Sequence, residues 1–110
     1  MRPLPYLLAF LLSFGSCTSI EVGPPPVDLD YFAPLTADIH LAEALTNEVP
    51  AAVRDSMRDV FYDNVLADHG TDRATFEEQM WQFRQEPVWI DSLYTRVGEI
   101  LARRAAASEL

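Results

Sequence analysis

The chain contains no lysine; all eight of its basic residues are arginine, against seventeen Asp and Glu, and the formal net charge is −9. That shortage of cations excludes a nucleic-acid partner, because neutralising phosphates requires a basic face. Anionic lipid headgroups are excluded as a docking surface for the same reason. There is one cysteine, Cys17, so no disulfide within the chain and no paired-cysteine zinc site. With only two histidines, His40 and His69, a metal centre has little to draw on. No glycine-rich phosphate loop, nucleophile elbow or Ser-His-Asp set is present. No stretch alternates with the period of two that marks a half-buried strand, and no heptad run or internal repeat appears.

What is present begins with a leader. Met1-Arg2 is a short positive segment, Leu4 to Phe14 is an apolar run of eleven residues, and Gly15-Ser16 are small. This is the anatomy of an export signal, and the run falls short of the ~20 residues a bilayer span needs. Cys17 follows the two small residues directly, an arrangement that resembles a bacterial lipobox, although Phe14 stands where Leu is usual. The resemblance implies cleavage after residue 16 and a diacylglycerol on the Cys17 thiol. A lone thiol in an oxidising compartment otherwise lacks a partner. Removing residues 1–16 takes away Arg2 and no acid, so the mature charge is −10.

Residues 17–30 read as a tether: Thr18 to Leu29 is polar and holds Pro24, Pro25 and Pro26, which favour a semi-rigid polyproline II spacer. The helical domain is expected over residues 31–105, with 106–110 as a frayed tail. Its fold class is all-α, a small bundle of three or four helices. A core of this size supplies only about 3–5 kcal/mol, so good packing, a partner or a second copy has to add burial.

Hydrophobic spacing predicts four helices. The first, 31–46, takes Asp30 as N-cap, has Pro34 in or before its first turn, and places Leu35, Ile39, Leu41, Ala42 and Leu45 on one arc. The second, 50–69, is apolar on two sides and is expected to be central, ending at His69 with Gly70 as the C′ residue. The third, 73–85, takes Asp72 as N-cap and a Phe76, Met80, Phe83 stripe. The fourth, 87–105, starts at Pro87 and presents Ile90, Leu93, Tyr94, Val97, Ile100 and Leu101. Gly98 lies inside it, either for a close backbone approach or as a tolerated cost.

Candidate functional side chains are few. Asp38 falls inside the apolar arc of the first helix, where an unpaired carboxylate costs several kcal/mol. It therefore needs a donor, rescue by water, or a place at the edge of the face; Arg104 is favoured as donor for its bidentate geometry, with Asn64, Tyr62 and Tyr94 as alternatives. His40 and Glu43, three apart, can touch each other but lie away from Asp38, which argues against a shared metal or acid–base site. Trp81 stands off the third helix's stripe among Glu77, Glu78 and Arg84. It is either covered by a neighbouring helix or an exposed anchor for a partner, Trp being enriched at binding hot spots. Trp89 is placed to extend such a patch. No cofactor and no catalytic residue is expected.

The order Asp38-Ile39-His40-Leu41-Ala42-Glu43-Ala44, Tyr62, Val65-Leu66, His69-Gly70, Phe76-Glu77-Glu78, Pro87, Leu93-Tyr94, Val97 and Ile100-Leu101 resembles domain of unknown function 4296, a family of small bacterial envelope lipoproteins. The resemblance spans about residues 32–104. It implies a lipid-anchored, all-helical envelope protein of diderm bacteria and carries no activity to transfer. Thr18 follows Cys17 in place of the Asp that marks inner-membrane retention in some systems, so an outer-membrane lipoprotein facing the periplasm is expected. The expected role is a non-catalytic adaptor or accessory subunit binding another envelope protein, or a second copy. A chaperone-like module comes second and a small metal or acid–base enzyme third.

Overall fold

The computed structural model describes residues 22–109. The expected leader and Cys17 lie outside them. Four α-helices follow one another: α1 Leu29–Thr46, α2 Arg54–Asp68, α3 Arg73–Arg84 and α4 Pro87–Ser108, with a single 3₁₀ turn at Ala51–Val53 before α2. The described residues contain no strand. The fold is the expected small all-α bundle.

Helix α1 is the centre of the bundle, packing along both α2 and α4. The expectation that the second helix would be central is thereby corrected. Helix α2 buries only Leu66 fully. Its second apolar side, with Val53 just before it and Val60, stays 46% and 47% exposed. In α1 the buried set is Phe32, Ala33, Leu35, Thr36, Ala37, Ile39, Ala42 and Thr46. In the first half of the helix these positions surround the axis, because neighbours approach from several sides. Small Ala and Thr side chains allow that approach, and each Thr hydroxyl is satisfied inside the helix. Thr36 Oγ1 donates to the Phe32 carbonyl at 2.8 Å and Thr46 Oγ1 to the Ala42 carbonyl at 2.9 Å. Leu41 and Leu45, expected in the core, are 42% and 56% exposed instead.

The start of α1 also differs from expectation. Its N-cap is Asp28, whose carboxylate accepts from the Asp30 amide at 2.9 Å. Asp30 itself pairs with Arg96 of α4. The helix begins earlier because Val27 and Leu29 pack against the core. Pro34 thus sits in the second turn rather than the first, leaving the Asp30 carbonyl without its helical donor. The end of the tether is therefore attached rather than free, and Trp89 Nε1 donates to the Gly23 carbonyl at 2.9 Å.

The aromatic part of the core joins three helices. Phe32 stacks on Phe83 with ring centroids 4.8 Å apart and also meets Phe76 at 5.4 Å. Tyr62 meets Phe76 edge-on at 6.1 Å. The Phe76, Met80, Phe83 stripe of α3 is buried as its spacing predicts, and Asp72 caps that helix by accepting from the Thr75 amide at 2.8 Å. Gly70 closes α2 with φ +72°. Its amide reaches the Ala67 carbonyl, and the Thr71 amide reaches that of Leu66, the paired bonds of a Schellman turn. Helix α4 runs on to Ser108, past the expected end at 105. A Cβ placed on Gly98 would meet nothing within 4 Å, so this glycine serves no close approach.

Candidate functional site

Asp38 lies at the edge of α1's buried face, with its side chain 30% exposed. Arg104 Nη1 donates to Asp38 Oδ1 at 2.5 Å, the favoured partner but through a single bond rather than the expected bidentate fork. Asn64 lines the same hollow, but the carboxylate's second partner is His69, whose Nε2 lies 2.7 Å from Oδ2. An ionised carboxylate only accepts, so His69 donates from Nε2. The His69 carbonyl in turn accepts from the Tyr31 hydroxyl at 2.8 Å, and the two rings meet edge-on. Helices α1, α2 and α4 are thus tied at one carboxylate. Burial pulls the Asp38 pKa up, but the hydrogen bonds from His69 and Arg104 outweigh it and hold the carboxyl below its ordinary range.

Sequence reasoning places His69 at the end of the second helix, where only the fold could bring it to Asp38, and does not count it among the donors for that carboxylate. Its position before Gly70 marks it as the C-cap of α2, a signal for the helix end rather than for what its ring meets. Among the described residues no third His, Cys, Asp or Glu joins Asp38 and His69 in a group able to hold a metal. Both oxygens of Asp38 are engaged, so the arrangement acts as a clamp. Beside it lies a hollow between α1 and α2 lined by Leu41, Leu45, Phe61 and Val65.

The other three candidates share a different place. His40, Glu43 and Trp81 all line a groove of about 470 Å³ between α1, α3 and α4, within the ~300–1,000 Å³ typical of binding sites. Its lining includes the buried side chains Ile39, Phe76 and Met80. Trp81 is 57% exposed and Tyr94 44%, so Trp81 is not covered by a neighbouring helix. Trp89 does not extend this patch; it packs against the core and holds Gly23. His40 and Glu43 do touch, at 3.9 Å, and the His40 ring stands 6.1 Å from that of Tyr94. Asp38 is not part of this groove.

The carboxylate and guanidinium side chains that line the groove are those of Glu43, Glu77 and Arg84. Glu43 and Glu77 also line the adjoining hollow beside Tyr62, where Arg73 lies over the Tyr62 ring at 4.7 Å and pairs with Asp63 at 2.8 Å. Burial pushes the Tyr62 phenol pKa up, and Glu77 adds to that. What the groove offers chemically is apolar area, two flat aromatic faces and separated charges, the composition of a recognition surface.

Comparison with curated proteins and with solved structures gave no match. Residues 27–107 match the family model for DUF4296, a domain of unknown function. That span takes in all of α1 to α3 and nearly all of α4, and the chain belongs to the DUF4296 family.

Proposed function

We propose that this protein is a lipid-anchored envelope protein, held through Cys17 on the outer membrane and facing the periplasm, and that its helical domain is a non-catalytic adaptor for another envelope protein. The observation that carries the adaptor role is the exposed Trp81, which borders an apolar groove with Tyr94. A large amphipathic ring left uncovered beside buried apolar side chains is the kind of residue that anchors an interface. The leader, the Gly15-Ser16-Cys17 sequence and the proline-rich tether support the anchored placement. Acyl chains add about 0.8 kcal/mol per buried CH₂, so a multiply acylated terminus holds essentially permanently.

The test is co-purification of crosslinked complexes from producing cells with the unchanged chain and with Trp81→Ala. One stoichiometric partner, weakened in the variant while the domain's melting temperature holds, is the expected result. A second reading, a chaperone-like module, has the exposed Leu41 and Leu45 of the α1/α2 hollow in its favour. It predicts many weak clients and suppression of aggregation instead.

A further inference from the structure

We infer that the α1/α3/α4 groove receives a segment of another envelope protein in which a large apolar side chain lies next to an Arg or Lys. This inference rests on the adaptor reading and names the chemistry of the partner.

The apolar part of the segment follows from Ile39, Phe76 and Met80, which line the groove below the half-exposed rings of Trp81 and Tyr94. The basic part follows from the charges. Glu43 and Glu77 line both the groove and the adjoining hollow, so the two carboxylates lie at the same end. Glu77 forms no ion pair among the described residues. Among the described residues the one ion-pair contact of Glu43 is His40, an exposed i,i+3 neighbour at 3.9 Å that is charged only when protonated. Glu78, three residues before Trp81 on α3, adds a further acid beside that ring.

Among the described residues no arginine forms an ion pair with Glu43 or Glu77. Arg58 and Arg73 border the adjoining hollow, but Arg58 is held by Asp55 and Arg73 by Asp63 and Asp59. Arg96 and Arg104 are paired with Asp30 and Asp38. Arg84 lines the groove, yet it stands seven residues after Glu77 on α3, about 10 Å along the axis. At physiological salt that is about a screening length away. An acidic or purely apolar partner would cover Glu43 and Glu77 without pairing them, which is costly. A guanidinium or ammonium supplies charge-assisted bonds to these carboxylates and can lie over the Trp81 ring.

The experiment uses the full lipidated chain in detergent micelles and two fluorescein-labelled, end-capped hexapeptides, identical except for a central leucine–arginine or leucine–glutamate pair. Binding is read by fluorescence anisotropy. The leucine–arginine peptide is expected to bind, and the doubly substituted Glu43→Gln, Glu77→Gln chain to bind it about tenfold more weakly. Equal binding of the two peptides, binding of neither, or unchanged affinity in the double variant overturns the inference. A photo-crosslinking amino acid placed at position 81 in cells separates this outcome from the broader reading. A captured segment of another protein with an Arg or Lys beside the crosslinked site supports the inference. A captured segment with no basic residue nearby overturns the basic-segment inference and leaves the adaptor role standing. A crosslinked pair of this chain overturns the inference in favour of self-association, and no capture at all removes both.

Discussion

Asp38 of α1 and Arg104 near the end of α4 are 66 positions apart in sequence and meet at 2.5 Å. Because His69 at the end of α2 takes the other oxygen, one carboxylate sets how three helices dock. Removing it orphans two donors. The penalty for such orphans is about 1–3 kcal/mol, and Arg104, with 43% of its side chain exposed, recovers water. We expect Asp38→Ala to lower stability by about 1–2 kcal/mol, measured by urea denaturation. Asp38→Asn should cost less than Asp38→Ala, since its carbonyl oxygen still accepts from Arg104 and a neutral His69 can accept the NH₂ at Nε2, but it loses the charge-assisted part. A double cycle of Asp38→Ala with Arg104→Ala should show coupling, and strict additivity would contradict the clamp.

The same contact has a pH signature. The Asp38 pKa is lowered from its ordinary 3.8 because the hydrogen bonds from His69 and Arg104 overcome burial. A carboxyl depressed in the folded state stabilises fully above its unfolded pKa and loses that contribution as pH falls through the folded value. The stability gap between the unchanged chain and Asp38→Ala should therefore show no Asp38-linked change down to pH 5. It should narrow as pH drops below 3.8. A gap with no dependence on acid would show the carboxylate to be unperturbed.

Two glycines should respond in opposite directions. Gly70 has φ +72°, so Gly70→Ala forces a side chain into the left-handed region and should cost about 1 kcal/mol. Gly98 is mid-helix in α4 with open space where a Cβ would stand. Gly98→Ala should stabilise by about 0.5–1 kcal/mol. Thermal melts of the two variants check both signs.

Trp81 and Phe83 are two residues apart on α3 and lie in different environments. Phe83 is 0% exposed and stacked on Phe32, whereas Trp81 is 57% exposed. Phe83→Ala should cost about 3–5 kcal/mol. Trp81→Ala should stay within about 0.5–1 kcal/mol, as a surface change. A comparable loss in both would place the Trp81 ring in the core and weaken its assignment as an anchor.

For the proposed anchor, Cys17→Ala should abolish incorporation of labelled fatty acid and release exported protein from the membrane fraction. Unchanged labelling in this variant would contradict lipidation at Cys17.

The local grammar of the fold was readable directly. Asp72 before an apolar stripe, Pro87 after a helix stop and Gly70 behind His69 act through backbone chemistry within one or two turns, so each operates in the bundle as its sequence predicts. The choice of Arg104 for Asp38 was legible too, because a carboxylate on an apolar arc requires a strong donor. Which helix is central was not legible. Periodicity weights large side chains, and it favoured the two-sided pattern of α2. Tertiary packing placed α1 inside because Ala33, Thr36, Ala37 and Thr46 let neighbours come close, while Leu41 and Leu45 were left outside. The meeting of His69 with Asp38, and of Trp81 with His40, Glu43 and Tyr94 around one groove, depends on crossing angles and rotations between helices. Those are set by the sum of side-chain contacts at each interface, a quantity that no single stretch of the chain contains.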